Sequence, residues 1–208
     1  MPSSRSGKIL PIIIIVLLCA LVSVFVLTHK SPKTEEVKVV SNPTPVYKVI
    51  GQSVQGRKIE SYTYSPSVVA TSTPIKKITF VGGVHGGYEW NSVLLAYQFM
   101  DYLEANPDTI PSNVIVTVIP SLNPDGVYKV VNKEGRFTKN DVSTSTKILA
   151  EGRFNANKVD LNRNFDCKWK PKSTWQSKTV SAGEEAFSEP EALALKNFVD
   201  ENKPDAFV

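Results

Sequence analysis

Two apolar runs constrain this chain more than any other feature. "KKITFV" at 76–81 and "NVIVTVIP" at 113–120 are short, rich in β-branched residues and bounded by glycine or proline. Runs of this kind are the mark of strands buried on both faces. Between them Trp90, Val93, Leu94, Tyr97, Met100 and Leu103 recur at spacings of three and four. That period predicts a helix closing before Asn106-Pro107. Strand, helix, strand is the unit of an α/β sheet. Upstream, "YKVIGQSVQGRKIESYTYS" alternates around Gly51 and Gly56 as two short strands do. Downstream, residues 126–158 read as a long polar loop. "SEPEALALKNFV" then predicts a helix with a capping box from Ser188 to Glu191 and Pro190 in its first turn. Its apolar positions Leu193, Leu195, Phe198 and Val199 fit a half-buried helix, and "DAFV" after Pro204 reads as the start of another strand.

Composition narrows the function classes. The chain has 208 residues, 41% of them hydrophobic, enough for one domain with a real core. The net charge of +4 is concentrated near the N-terminus; from Lys48 onward there are 19 basic and 18 acidic side chains. A near-neutral domain carries no electrostatic footprint for nucleic acid. The two cysteines, Cys19 and Cys167, lie too far apart in kind and place to form a disulfide framework, and no C-x-x-C pattern exists.

Residues 1–8 form a basic segment with Arg5 and Lys8, and residues 9–27 are 19 positions without a charge. At about 1.5 Å per residue such a run nearly crosses a hydrocarbon core of roughly 30 Å. The basic segment predicts a cytoplasmic N-terminus. The run is long for a signal peptide, and no small-x-small cleavage site follows it, so it reads as an uncleaved anchor, with a signal peptide as the alternative. Either way the domain is expected outside the cytoplasm. Residues 28–46, polar and spotted with proline, read as a linker, and 47–208 as the globular part.

Three segments carry chemistry. "GGVHGGYEWNS" places His85 four residues before Glu89 in the loop after a strand, where α/β sheets build their sites. Imidazole and carboxylate ligate Zn²⁺ where sulfur is absent. The same pair also reads as a loop histidine beside a glutamate that complements a helix dipole. "NPDG" at 123–126 is a strong turn signal. "GRFNANKVDLNRNFDCKW" at 152–169 gathers Arg153, Asn155, Asn157, Asn162, Arg163 and Asn164 around Val159, Leu161 and Phe165. Arginine with asparagine suits a carboxylate, because guanidinium binds it bidentately. The interleaved apolar residues predict a segment that packs.

Taken in order, "GQSVQGRKI", "GGVHGGYEWNS", "NPDG", "VDLNRNF" and "FSEPEA" resemble the zinc metallocarboxypeptidases of peptidase family M14, in its bacterial branch, which includes enzymes that trim peptidoglycan peptides. The resemblance covers about residues 47–208. It implies a mixed central β-sheet flanked by helices, with zinc at the strand ends. It implies His85 and Glu89 as metal ligands, Asn162 and Arg163 as the binders of the substrate's terminal carboxylate, and Arg153 as the group that polarises the scissile carbonyl. The substrate is then a peptide or a peptidoglycan peptide.

Two departures stand out. The family spaces its first two ligands as H-x-x-E, and here Gly86, Gly87 and Tyr88 intervene. The family's third ligand is a later histidine and its general base a later glutamate. The only other histidine here is His29. The expectation is that the rest of the site lies beyond Val208 and that the chain is truncated. Two further readings remain: a zinc deacylase of N-acyl amino acids, and a catalytically silent envelope-binding module.

Overall fold

The computed structural model describes residues 38–39, 44–69 and 72–208. The uncharged run at 9–27, the basic segment before it and most of the 28–46 stretch lie outside the described residues. Among the described residues no helix is long and apolar enough to cross a membrane.

In chain order the strands and helices are β1 (Lys38–Val39), β2 (Val46–Gln52), β3 (Lys58–Tyr64), β4 (Val68–Val69), β5 (Lys76–Val81), α1 (Trp90–Ala105), β6 (Val114–Ile119), α2 (Pro124–Val131), α3 (Thr146–Glu151), β7 (Lys172–Trp175), β8 (Lys178–Ser181), α4 (Pro190–Asn202) and β9 (Ala206–Phe207). Five of these strands form one sheet in the order β2-β3-β6-β5-β9. The β2–β3 and β3–β6 pairs are antiparallel, and the β6–β5 and β5–β9 pairs are parallel, so the sheet is mixed.

Alternation along the strands sorts side chains to two faces. Val116 and Val118 of β6 and Tyr64 of β3 meet Val93, Ala96, Tyr97, Met100 and Leu103 of α1, one stripe at helical spacing. Ile119 of β6 and Ile59 of β3 meet Ala194, Leu195 and Phe198 of α4 on the other face. Burying each large side chain contributes about 1.5–3 kcal/mol, so these two stripes hold the helices against the sheet. At β2 the helix comes closest over Gly51, where an added Cβ would lie 2.5 Å from the Ala194 Cβ. The register of the β2–β3 pair shifts between Val49 and Gly51.

Three expectations need correction. The stretch at 126–158 is not one loop, because α2 and α3 fall within it. "NPDG" opens α2: the Asn123 side chain accepts from Gly126 N, and Pro124 occupies the first turn. The capping box of α4 does not form. Its N-cap is Glu189, and Ser188 Oγ bonds the Asn164 side chain and Glu189 Oε1 instead. Of the four apolar positions named for α4, Leu195 and Phe198 are buried, Val199 is partly buried, and Leu193 is exposed while Ala192 and Ala194 take the core.

Candidate metal centre

The loops after β5 and β6 leave the sheet at the same end and are laced together. Gly82 N donates to Ile119 O, Leu122 N to Gly82 O and Asn123 N to Gly83 O, at 2.8–3.0 Å. Parallel strands bring their following loops side by side, which is why α/β sites collect there. Residues Gly86–Glu89 then form a single 3-10 turn leading into α1. Gly86 has φ +47, a backbone state that favours glycine. Space demands glycine as well: an added Cβ on Gly86 would lie 2.6 Å from Gly152 O and 2.8 Å from the Gly126 Cα. The glycines of "HGG", "NPDG" and "EGR" therefore meet at one point, and three separate motifs close on each other.

That turn absorbs the extra residue between the two expected ligands. His85 Nδ1 lies 2.8 Å from Glu89 Oε1. The imidazole is nearly buried, and the Glu89 side chain is 45% exposed. Behind the ring, His85 Nε2 sits 3.4 Å from Asp160 Oδ1. That is ion-pair range but outside hydrogen-bond geometry, so Nε2 is a buried nitrogen without a hydrogen bond. Asp160 itself is fully buried. Its Oδ2 accepts from Arg153 Nε at 3.0 Å and Nη2 at 2.8 Å, and its Oδ1 accepts from Asn162 N. Burial pushes the Asp160 carboxyl up, but the facing His85 and the Arg153 guanidinium outweigh it and hold it below its ordinary value.

A carboxylate behind a histidine that presents its other nitrogen outward is how proteins orient a metal-ligating imidazole. The His85 Nδ1 and Glu89 Oε1 donors converge and suit Zn²⁺ in type. A catalytic zinc site uses three protein ligands, and this pair brings together two side chains of suitable type. Among the described residues no group of three His, Cys, Asp or Glu side chains is placed to hold a metal.

The polar residues of 152–164 divide by role. Asn155 Nδ2 donates to Glu189 and Glu191, and Asn157 Nδ2 to Glu189. Asn164 Nδ2 bonds Ala182 O, Glu185 O and Ser188 Oγ. These three do bind carboxylates and carbonyls, but those of the chain itself. Asn162 is exposed, and Arg163 Nη1 donates only to Asn162 O. Among the described residues Arg163 has no carboxylate partner, whereas Arg153 is committed to Asp160. The residue that sequence reasoning passed over is Asp160. Its signal was present: a charge between Val159 and Leu161, two apolar residues that both turn out buried.

The chain thus carries an imidazole–carboxylate pair at the mouth of the parallel strands of a mixed α/β sheet. The family model described as zinc carboxypeptidase matches residues 39–208, and the chain belongs to that family, whose members are metallocarboxypeptidases that use Zn²⁺. Among curated proteins it is similar to human carboxypeptidase Z, with 31% identity over 122 residues, 56% of this chain and 17% of the relative. Its fold is similar to bovine thrombin-activatable fibrinolysis inhibitor (TM-score 0.55, 17% identity, 91% of this chain and 57% of that one). It is also similar to murein-tripeptide amidase from Escherichia coli O157 (TM-score 0.50, 20% identity, 85% of this chain and 62% of that one). The matched region thus spans only part of each of these proteins.

Proposed function

We propose that this chain provides the metal-binding and carboxylate-binding part of a zinc carboxypeptidase that removes C-terminal residues from peptides, peptidoglycan peptides among them. The observation that carries the proposal is the convergence of His85 Nδ1 and Glu89 Oε1 at 2.8 Å, with Asp160 behind the ring. His85 and Glu89 hold the metal, and a third donor and the general base come from outside the described residues. Zinc, when bound, supplies a Lewis acid and a water of lowered pKa.

The chain's own residues do the rest. Arg163, whose guanidinium has no carboxylate partner among the described residues, clamps the free carboxylate of the substrate with Asn162 beside it. Arg153 has Nε and Nη2 on Asp160, which leaves Nη1 as its donor toward a scissile carbonyl. The likeness to a murein-tripeptide amidase supports a peptidoglycan peptide as substrate. The uncharged run at 9–27 supports a domain anchored at a membrane and working outside the cytoplasm.

The test is binding of one peptide in two forms, with a free C-terminal carboxylate and with a C-terminal amide. The acid should bind more tightly, and Arg163→Ala should remove that preference, weakening the acid by about tenfold or more. Equal binding of acid and amide by the unaltered chain would sink the carboxylate-clamp role. An N-acyl amino acid assayed for hydrolysis alongside the peptide separates a deacylase from a carboxypeptidase.

A further inference from the structure

The β7–β8 hairpin takes no part in the chemistry above, yet both its ends are tied to the residues behind His85. At its base Ser181 O accepts from Asp160 N at 3.0 Å, and Val159 bridges Ser181 in parallel. At its tip Trp175 makes edge-on contacts with Tyr88, centroids 5.2 Å apart, and with Phe154, 5.9 Å apart. Tyr88 adjoins Glu89 in sequence, and Phe154 adjoins Arg153. The Arg153 Cζ lies over the Trp175 ring, 4.8 Å from its centroid. Gln176 Nε2 also reaches the Tyr88 hydroxyl at 3.4 Å.

The turn that delivers this tip is a two-residue hairpin loop occupied by residues uncommon there. Gln176 has φ +46 and Ser177 φ +61, a left-handed state that neither residue favours. A two-residue hairpin loop takes positive φ at both central positions to match the twist of its strands, and residues other than Gly, Asn or Asp persist there where surrounding contacts over-determine them. Here those contacts are Trp175 and Gln176 on the Tyr88–Phe154–Arg153 group.

We infer that Trp175 is a positioning residue for the metal centre. Its ring holds the Arg153 guanidinium, Arg153 fixes Asp160 through Oδ2, and the Oδ1 of Asp160 faces His85 Nε2. A buried guanidinium between an aromatic face and a carboxylate has little freedom, so the imidazole behind it is held in one orientation. The inference rests on the reading of His85 as a metal ligand.

The experiment compares the whole chain with Trp175→Leu, which keeps apolar bulk but removes the ring, and Trp175→Phe, which keeps a ring. Two quantities are measured: solvent exchange of the Arg153 Nε–H by NMR, and zinc affinity by competition with a chromophoric chelator. His85→Ala serves as the control for specific zinc binding. Trp175→Leu should speed the Arg153 Nε–H exchange about tenfold or more and weaken zinc by about 3- to 10-fold, below the 10- to 100-fold typical of groups that touch the ligand directly. Trp175→Phe should restore most of both. Unchanged exchange in Trp175→Leu overturns the inference, and so does faster exchange with zinc affinity within twofold of the unaltered chain. If the unaltered chain and His85→Ala bind zinc alike, the metal reading of His85 fails, and the clamp on Arg153 is judged by the exchange rate alone.

Discussion

Glu189 and Glu191 are carboxylates, as Glu89 is, but they do opposite work. Glu189 and Glu191 are buried, and their oxygens are met from within the chain. Glu189 accepts from Ser188, Asn155 and Asn157, and Glu191 from Asn155 and Val54 N. Asp125 completes this second group, taken up by Ser53, Arg57 and Gln55 N. Together they tie the β2–β3 turn and the start of α2 to the start of α4. Glu89 is the contrast: its side chain is 45% exposed and its partner is the imidazole it would share a metal with. A carboxylate saturated by internal N–H and O–H donors is structural, because nothing further can be gained by binding at it. A carboxylate with one basic partner and an open side remains available. Residue type does not separate the two clusters; hydrogen-bond saturation does.

The sharpest way to break this comparison is Asn155→Ala. It strips donors from Glu189 and Glu191 at once and leaves Val159 N without its acceptor. Thermal unfolding should report a loss of about 3 kcal/mol, or roughly 6–12 °C for a chain of this size. A loss under about 1 kcal/mol would mean that the buried cluster is not what holds these segments.

Gly126→Ala comes next. The added Cβ would lie 2.4 Å from Gly152 O and 2.7 Å from the Asn123 amide nitrogen. Stability should fall by about 1–3 kcal/mol from overpacking. Zinc affinity should fall with it, because the three glycine segments close the loop that carries His85. A stability loss with zinc affinity intact would separate the glycine contact from the site.

A smaller effect has a sign that depends on pH. Burial raises the Glu191 carboxyl above its ordinary value of 4.5, and the donors from Asn155 and Val54 offset this only in part. A group whose folded value is raised contributes stability below its unfolded value and loses it as pH rises through the folded one. Melting temperatures of the unaltered chain and Glu191→Gln, compared from about pH 4 to about pH 7, should therefore shift in favour of the variant as pH rises. A gap that stays constant with pH would show that Glu191 titrates as it does in the unfolded chain.

The smallest stability effects belong to the open group. Glu89→Gln should leave the unfolding free energy within about 0.5 kcal/mol, as expected of half-exposed sites, while zinc affinity drops sharply. If Glu89→Gln destabilises the fold as much as Asn155→Ala does, the division between saturated and available carboxylates fails.

Much of this molecule was legible without coordinates. The strands at 76–81 and 113–120 announce themselves as short β-branched runs, and the helix from Trp90 and the helix containing Leu195 and Phe198 by period; the second strand is largely buried as expected, whereas the first buries only Thr79 and leaves Lys76 and Lys77 exposed. The helices α2 and α3 did not announce themselves, since eight and six residues carry too few turns to establish a period. Asn-Pro-Asp-Gly is as good a helix start as a tight turn, and only the chain that follows decides between them. The capping box from Ser188 to Glu191 was sound as local chemistry. It lost because Glu191 gains more from Asn155 and Val54 N, which come from distant segments.

That His85 and Glu89 sit four residues apart in a loop after a strand, with Arg163 in a later polar segment, is stated by the sequence alone, as is the α/β order of the elements around them. Local periodicity and side-chain chemistry are properties of neighbouring residues, so one dimension suffices to state them. Only the tertiary structure decided that Gly86 turns Glu89 back onto His85, that Asp160 stands behind the ring, and that Asn155 and Asn157 serve the chain's own glutamates. Each of those outcomes depends on which distant groups compete for the same hydrogen bond or the same few ångströms of space, and that competition exists only once the segments have met.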